Sequence, residues 1–184
     1  MSLSLNASPR VLLHPGFRDT LSRPGLDLSR LVVEITEHEL VTNYDAVNAV
    51  LTPLREHGMQ VAVDDTGAGY ASFTHALRLR PDIIKLDRSL LSGLHQDPAR
   101  RALVTAIVLL GLELDARLVA EGVENAEELQ AVMDLGVDLA QGYHLARPAV
   151  ERSVWKHWAK RDWGASTTRV RTLEGASSTH RAAS

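Results

Sequence analysis

The chain has 184 residues, of which 45% are hydrophobic and 23% charged, a composition typical of an ordinary globular domain. Its 20 basic and 23 acidic residues give no positive excess that would attract a nucleic acid polymer. The absence of cysteine excludes disulfides and thiolate metal sites, and no apolar run is long enough to span a bilayer. Since the start also lacks a secretory signal, we expect one main domain in the cytoplasm.

Short apolar runs alternate with helical patterns along most of the chain. Runs that are almost continuously apolar are typical of strands covered on both faces. Strands that alternate with helices predict a parallel sheet, either an open doubly wound sheet or a barrel. The runs are Met1–Leu5, Leu31–Ile35, Gln60–Val63, Asp82–Leu86, Arg117–Ala120 and Val137–Ala140.

The helices between these runs have recognisable starts and stops. Asp97 followed by Pro98 predicts one helix start, and Asn125 predicts a cap for a later helix. An earlier helix is predicted to end at Gly58, with a kink at Pro53.

A polar residue stands at the end of nearly every predicted strand. In a parallel barrel the carboxyl ends of the strands converge on one face, so these side chains become neighbours. An open sheet would instead gather its ligand residues at one switch point, and we therefore favour a barrel. About six strands are present where a full barrel has eight, which predicts a TIM-type α/β barrel whose first strands are absent. The polar residues are Asn6, Glu34, Asp64, Asp65, Lys85, Asp87, Glu121 and Gln141.

The adjacent carboxylates of Asp64 and Asp65 form the sharpest local signal. Two neighbouring carboxylates are costly unless a positive charge lies between them, and a divalent cation commonly supplies it. An Asp that caps a helix beside a solvated Asp in a turn explains the pair about equally well. Both interpretations stay open on this motif alone.

Other polar residues also have a functional and a structural interpretation. Lys85 lies in an otherwise apolar strand, so we expect it to pair with Asp87 or with another site carboxylate and to orient a water, or else to form a structural ion pair. Taken alone, Glu37 is expected to be structural. His38-Glu39 does not begin a zinc protease motif, because position 42 is Thr42. The glycines that follow Glu121 and Gln141 are expected to free space for a substrate.

The chain changes character after its predicted barrel. We expect a partial barrel domain over residues 1–150, a closing helix over 151–163 that contains all three tryptophans, and a disordered tail over 164–184.

Six segments form one ordered pattern from about Ser4 to Pro148. They are Asn6-Ala7-Ser8-Pro9, Glu34-Ile35-Thr36-Glu37, Asp64-Asp65 with its glycine loop, Lys85-Leu86-Asp87, Ala120-Glu121-Gly122-Val123-Glu124 and Gln141-Gly142-Tyr143. In order and spacing they resemble the EAL domain of bacterial cyclic di-GMP phosphodiesterases. The resemblance implies a barrel that uses two Mg²⁺ or Mn²⁺ ions to hydrolyse cyclic di-GMP to linear pGpG. It also implies a homodimer and a sensory or GGDEF domain upstream.

The resemblance assigns a role to each polar position. Lys85 and Glu121 correspond to catalytic residues. The positions that correspond to metal ligands are Asn6, Glu34, Asp64, Asp65 and Glu121. Those that correspond to substrate-binding or supporting groups are Asp87, Glu124, Gln141 and Glu37.

The chain departs from the family pattern in two ways, of which the first predicts weak or no activity and the second predicts looser loop packing or dimer coupling. The Glu-Ala-Leu motif, which carries one further metal ligand, does not occur in the chain, and Thr66 and Ala68 replace the usual Phe and Thr of the loop. The alternative function is an inactive module that binds cyclic di-GMP or a protein partner in signalling. A glycosidase that uses two carboxylates is a second enzymatic alternative, and it would not depend on a metal.

Overall fold

The computed structural model describes residues 2–35, 41, 43–66 and 70–151, without the side chains of residues 65, 66 and 70–72. The described strands form one sheet of six. They are β1 (Leu3–Ala7), β2 (Leu31–Ile35), β3 (Gln60–Thr66), β4 (Ile83–Leu86), β5 (Arg117–Ala120) and β6 (Leu139–Ala140).

Seven α-helices connect or follow these strands in the described part of the chain. They are α1 (Pro9–Leu12), α2 (Pro15–Leu21), α3 (Tyr44–Glu56), α4 (Tyr70–Leu79), α5 (Arg88–Leu91), α6 (Pro98–Leu114) and α7 (Ala126–Asp134). Of the helices in these ranges, none combines the length and apolar character needed to cross a membrane.

The strands are all parallel and lie in chain order, β1-β2-β3-β4-β5-β6. A doubly wound sheet reverses its order at a switch point, whereas a barrel advances steadily in one direction. The predicted parallel α/β architecture is thus confirmed, with the order of a barrel. Among the described residues, β1 and β6 are the edge strands, and no ladder joins them.

Side chains on the two faces of the sheet have different neighbours. Val33 and Ile35 belong to a core that includes residues of the helices, such as Leu51 of α3. The alternate positions of the strands form a smaller apolar cluster on the opposite face. This cluster contains Val32, Ala62 and Ile83, with Val119 packed against it.

The predicted helix starts are confirmed by their capping bonds. The Asp97 carboxylate accepts from the Ala99 N–H at 2.9 Å, and the Asn125 side chain accepts from the Glu128 N–H at 2.8 Å. Gly58 follows the end of α3 with a φ of +91°, which favours glycine. Pro53 lies inside α3, and the helix continues past it to Glu56.

Some boundaries differ from those predicted, because neighbouring strands decide where pairing stops. Strands β1 and β3 extend further, to Ala7 and Thr66, so their polar residues lie within the strands rather than after them. Strands β4 and β6 begin later than expected. Asp82, just before β4, accepts from the Val61 N–H at 2.8 Å, and Asp138, just before β6, accepts from the Leu118 N–H at 2.8 Å.

The chain divides into two compact units, Met1–Arg147 and Pro148–Ser184. Most of the second unit lies outside the described residues, so the helix over 151–163 and the tail over 164–184 stay predictions.

Candidate active site

Polar side chains gather at the carboxyl ends of the central strands because of the two-residue period of a β-strand. Side chains at positions i and i+2 share one face of a sheet. Each member of the small apolar cluster is followed two residues later by a charged residue. The pairs are Val32 and Glu34, Ala62 and Asp64, Ile83 and Lys85, and Val119 and Glu121. The charged groups therefore form a layer directly above an apolar floor.

Lys85 is the centre of this layer. Its Nζ lies 2.8 Å from Glu34 Oε2, 3.0 Å from Asp64 Oδ1 and 2.8 Å from Glu121 Oε1. The side chains of Lys85 and Glu34 are each only 11% exposed, so these ion pairs are largely shielded from water. Three carboxylates share one ammonium, and the group carries an excess of negative charge.

This charge imbalance determines the protonation of the site. Burial acts to lower the pKa of Lys85, but hydrogen bonds to Glu121, Glu34 and Asp64 outweigh it and raise the pKa above its usual value. Burial raises the pKa of Glu121. Lys85 opposes this rise, and the negative charges of Asp64 and Glu34 add to it, so the pKa stays above its usual value. Lys85 thus stays charged at neutral pH, and Glu121 holds its proton more readily than an exposed glutamate.

Two amide residues lie near this layer in different ways. Gln141 donates a hydrogen bond from Nε2 to Glu121 Oε1, which joins the end of β6 to the site. Asn6 is in register with Glu34 across the β1–β2 ladder, so its backbone lies beside the site, but its side chain is exposed.

One interpretation of the sequence expected Asp87 to pair with Lys85. In the structure Asp87 has a different partner. Its Oδ1 accepts from the Ser89 N–H at 2.8 Å and caps α5. Burial acts to raise the pKa of Asp87, but hydrogen bonds from Ser89 and from the Arg88 N–H lower it below its usual value. Because Asp87 stands two residues beyond Lys85, the chain has already turned from strand to helix at that point.

Glu124 forms an ion pair with Arg88, whose Nη2 lies 2.6 Å from Glu124 Oε2. Sequence reasoning did not identify Arg88. Its position directly after the Lys85-Leu86-Asp87 segment is the one signal that would have placed it at the carboxyl end of β4. Glu37 and the side chain of Asp65 lie outside the described part of the structure, so their roles stay predictions.

The glycines after Glu121 and Gln141 do not leave space for a substrate. A Cβ at Gly122 would lie 2.9 Å from the Arg88 Cβ, and one at Gly142 would overlap the Val123 carbonyl oxygen. Both glycines are needed because other parts of the chain pack against their backbone. The expectation of open space was wrong, since the neighbouring loops already occupy it.

The chemistry of these donors suits a hard divalent cation. Glu34, Asp64 and Glu121 offer only carboxylate oxygens, the ligands that Mg²⁺, Mn²⁺ and Ca²⁺ prefer. They converge where a positive charge already lies, the ammonium of Lys85. Among the described residues, no three His, Cys, Asp or Glu side chains are arranged as a ready-made metal cage. A cation at this position would therefore share or take over carboxylate oxygens that now contact Lys85.

Comparisons with known proteins find relatives and solved structures that are similar to this chain. The chain is 34% identical over 151 residues to the bifunctional diguanylate cyclase/cyclic di-GMP phosphodiesterase MucR of Pseudomonas aeruginosa, covering 80% of the chain and 22% of that protein. It is similar to a manganese and cyclic di-GMP complex of Klebsiella pneumoniae BlrP1, with a TM-score of 0.72 and 36% identity over 80% of this chain and 39% of that one. Another complex of BlrP1 contains calcium and cyclic di-GMP.

The EAL domain of Mycobacterium smegmatis DcpA is also similar, with a TM-score of 0.78 and 32% identity over 87% of this chain and 74% of that one. The chain spans about a fifth of the length of MucR, the curated relative described above. The family model of the EAL domain matches residues 1–148. With this match and the shared fold, the chain belongs to the EAL domain family.

Proposed function

We propose that the chain is a phosphodiesterase domain that hydrolyses cyclic di-GMP to linear pGpG. The observation that carries the proposal is the meeting of Glu34, Asp64 and Glu121 around Lys85 at the carboxyl ends of four neighbouring strands. MucR and BlrP1 support the choice of substrate, since the first is named as a cyclic di-GMP phosphodiesterase and the second is described in complex with cyclic di-GMP.

We further propose that two divalent ions, Mg²⁺ or Mn²⁺, bind at this site. Their proposed ligands are Asn6, Glu34, Asp64, Asp65 and Glu121. When bound, such ions supply positive charge for the anionic phosphodiester and make a water molecule more acidic. The calcium and manganese complexes of BlrP1 support the use of divalent cations.

The chain's own residues divide the remaining work between them. Lys85 keeps its proton, because its pKa is raised, and it therefore acts as a hydrogen-bond donor and a fixed positive charge rather than as a base. Glu121 would hold a cation through its carboxylate oxygens, and a bound cation would keep this carboxyl deprotonated. Gln141 orients Glu121 through its hydrogen bond. In the reaction, water oxygen bonds to phosphorus, the bond from phosphorus to the 3′ oxygen breaks, and that oxygen takes up a proton.

Incubation of the purified chain with cyclic di-GMP and Mg²⁺ or Mn²⁺ tests the proposal. We expect pGpG to appear in chromatography, and we expect a chelator to abolish the reaction because the carboxylates cannot replace the missing positive charge. Calorimetry on the same samples measures binding. Binding without product would support the inactive binding module instead. Turnover that a chelator does not affect would contradict the metal-dependent proposal.

We also propose that the chain forms a homodimer through the outer face of α6. The exposed half of α6 is unusually apolar for a helix surface, since Leu109 is 58% exposed near its middle and Leu103 and Leu112, on its two flanks, are 38% and 51% exposed. Ala102 and Ala106 lie exposed between them. A second copy of the same face is the proposed occupant.

The positions of charged side chains and of small and large side chains on α6 support an antiparallel pair of helices. The first turn of α6 contains Arg101 and the last turn contains Glu113, so the two ends of the helix carry opposite charges. If two copies cross at the middle of α6, Arg101 of one lies opposite Glu113 of the other, and Ala102 lies opposite Leu112. Opposite charges and small-against-large contacts then occur twice, as two-fold symmetry requires.

Light scattering coupled to size exclusion tests this dimer. We expect the wild-type chain to elute as a dimer and Leu109→Glu to be monomeric, because two carboxylates would enter the apolar contact. Leu26→Glu, at a leucine that is 48% exposed outside α6, is the matched control and should stay dimeric. Arg101→Glu should weaken the dimer, and the added change Glu113→Arg should restore it. A monomeric wild-type chain would contradict the proposal.

A further inference from the structure

Arg88 connects two strand ends that both contribute to the site. It is the first residue of α5 and follows β4, the strand that carries Lys85. Its guanidinium reaches the loop after β5, where Nη2 lies 2.6 Å from Glu124 Oε2. The same loop begins with Glu121, whose carboxylate contacts Lys85 at 2.8 Å. The ion pair therefore closes a ring that contains the two proposed catalytic residues.

The stem of Arg88 makes a second contact with this loop. Gly122 has a φ of +72°, and a Cβ there would lie 2.9, 3.0 and 3.1 Å from the Cβ, Cγ and Cδ of Arg88. The aliphatic part of Arg88 thus lies directly on the Gly122 backbone. Long basic side chains commonly use their stems for packing while the charged head stays near water. Arg88 holds the loop at two points, at Gly122 and at Glu124.

The loop is also anchored by hydrogen bonds of its backbone N–H groups, and one of them, from the Glu124 N–H, is accepted by Glu128 Oε2 at 2.9 Å. The Glu121 N–H donates to the Leu86 carbonyl at 3.0 Å, and the Val123 N–H donates to the Gln141 carbonyl at 3.1 Å. These bonds fix the loop within the plane of the sheet. In the described structure, the side chain of α5 that packs against the Gly122 backbone is Arg88.

We propose that Arg88 is a positioning residue, which holds the loop from Glu121 to Glu124 so that the Glu121 carboxylate faces Lys85. An exposed ion pair adds little to stability, and the Arg88 and Glu124 side chains are 58% and 41% exposed. The effect of Arg88 is therefore on geometry rather than on folding. A displacement of about 1 Å in a catalytic group can lower a rate by about 100-fold. The activity part of this inference rests on the proposed phosphodiesterase function, whereas its structural part does not.

Hydrogen exchange of the ligand-free chain tests the structural part directly. In Arg88→Ala we expect faster exchange at the amides of Glu121, Val123 and Glu124, because the loop opens more often without its brace. Amides of α3 should exchange at the wild-type rate in the same sample. Arg10→Ala, at an exposed arginine of α1, is the matched control and should change none of these rates. Unchanged exchange at the loop in Arg88→Ala would overturn the proposal even if the chain has no enzymatic activity.

Steady-state kinetics distinguish positioning from direct contact with the substrate. A positioning role predicts that Arg88→Ala lowers kcat about 10- to 100-fold with little change in KM, as for other residues that orient a catalytic group. Arg88→Lys, which keeps the stem and the charge, should recover part of kcat. The double variant Arg88→Ala/Glu124→Gln should be no worse than the poorer single variant, since both remove the same brace. A raised KM for cyclic di-GMP with unchanged kcat would instead identify Arg88 as a phosphate contact and overturn the positioning role.

Discussion

Replacement of Lys85 by methionine is expected to destabilise the chain by about 3–5 kcal/mol when no divalent cation is present, the cost of leaving buried charges without their partner. Methionine keeps most of the volume of lysine, so the loss is mainly electrostatic. The ammonium contacts Glu34, Asp64 and Glu121, whose side chains are 11%, 15% and 20% exposed. Denaturant unfolding in the presence of a chelator measures the effect. Lys85→Arg, which keeps the charge, is the control and should be less affected.

The cost of Lys85→Met should depend on pH in a defined direction. The pKa of Glu121 is already raised in the folded chain, and loss of the neighbouring ammonium should raise it further. A carboxyl with a raised pKa in the folded state favours folding while it is protonated, and this contribution is lost as the pH rises through the folded-state pKa. The stability of Lys85→Met should therefore fall as the pH rises from the usual glutamate pKa of 4.5 toward neutrality. Equal stability of the variant at both ends of this range would contradict the charge balance described for the site.

Divalent cations should restore part of the stability that Lys85→Met loses. A ligand that binds only the folded state raises the free energy of unfolding. Once the ligand concentration exceeds the dissociation constant, this gain grows with the logarithm of the concentration. With the ammonium removed, a cation can supply the positive charge that Glu34, Asp64 and Glu121 have lost. We expect the midpoint of unfolding to rise with Mn²⁺ or Mg²⁺ concentration, more in Lys85→Met than in Lys85→Arg. Turnover of cyclic di-GMP by Lys85→Met should nevertheless stay low, because the variant lacks the ammonium that acts as a fixed hydrogen-bond donor.

Asp64→Asn is expected to separate activity from stability. If Asp64 is a metal ligand, its loss should lower turnover of cyclic di-GMP at least about 100-fold, since even groups that only support ligands account for 10- to 100-fold. The same change removes one of three negative charges around a single ammonium, so the free energy of unfolding without metal should be equal to or higher than that of the wild type. Functional sites commonly reduce stability in this way.

Initial rates of pGpG formation and denaturant unfolding measure the two effects of Asp64→Asn on one preparation. Asp19→Asn, on the exposed side of α2, is the matched control and should change neither quantity. Wild-type turnover in Asp64→Asn would remove Asp64 from the proposed metal site. A large loss of stability without a change in rate would assign Asp64 a purely structural role.

Part of the fold and of the site can be predicted from the sequence, because it depends on residues that lie close together in the chain. The alternation of apolar strands with helices predicts a parallel α/β fold, and the observed sheet has six parallel strands in chain order. Helix starts at Asp97 and Asn125 are also local, since a capping side chain bonds an N–H two or three residues away. The two-residue period of a strand similarly places Glu34 and Lys85 on the same face as Val32 and Ile83.

Only the tertiary structure decides which of these polar groups meet. The sequence left Asp87 and the site carboxylates as equal candidates for Lys85, and the turn into α5 directs Asp87 to the Ser89 N–H instead. The contact of Arg88 with Gly122 joins residues 34 positions apart and depends on how α5 and the loop after β5 approach each other. Local pattern fixes which face a side chain takes along its own strand. Which partner that side chain meets depends on the register between strands and on the path of the loops. Both are determined by packing across the whole sheet.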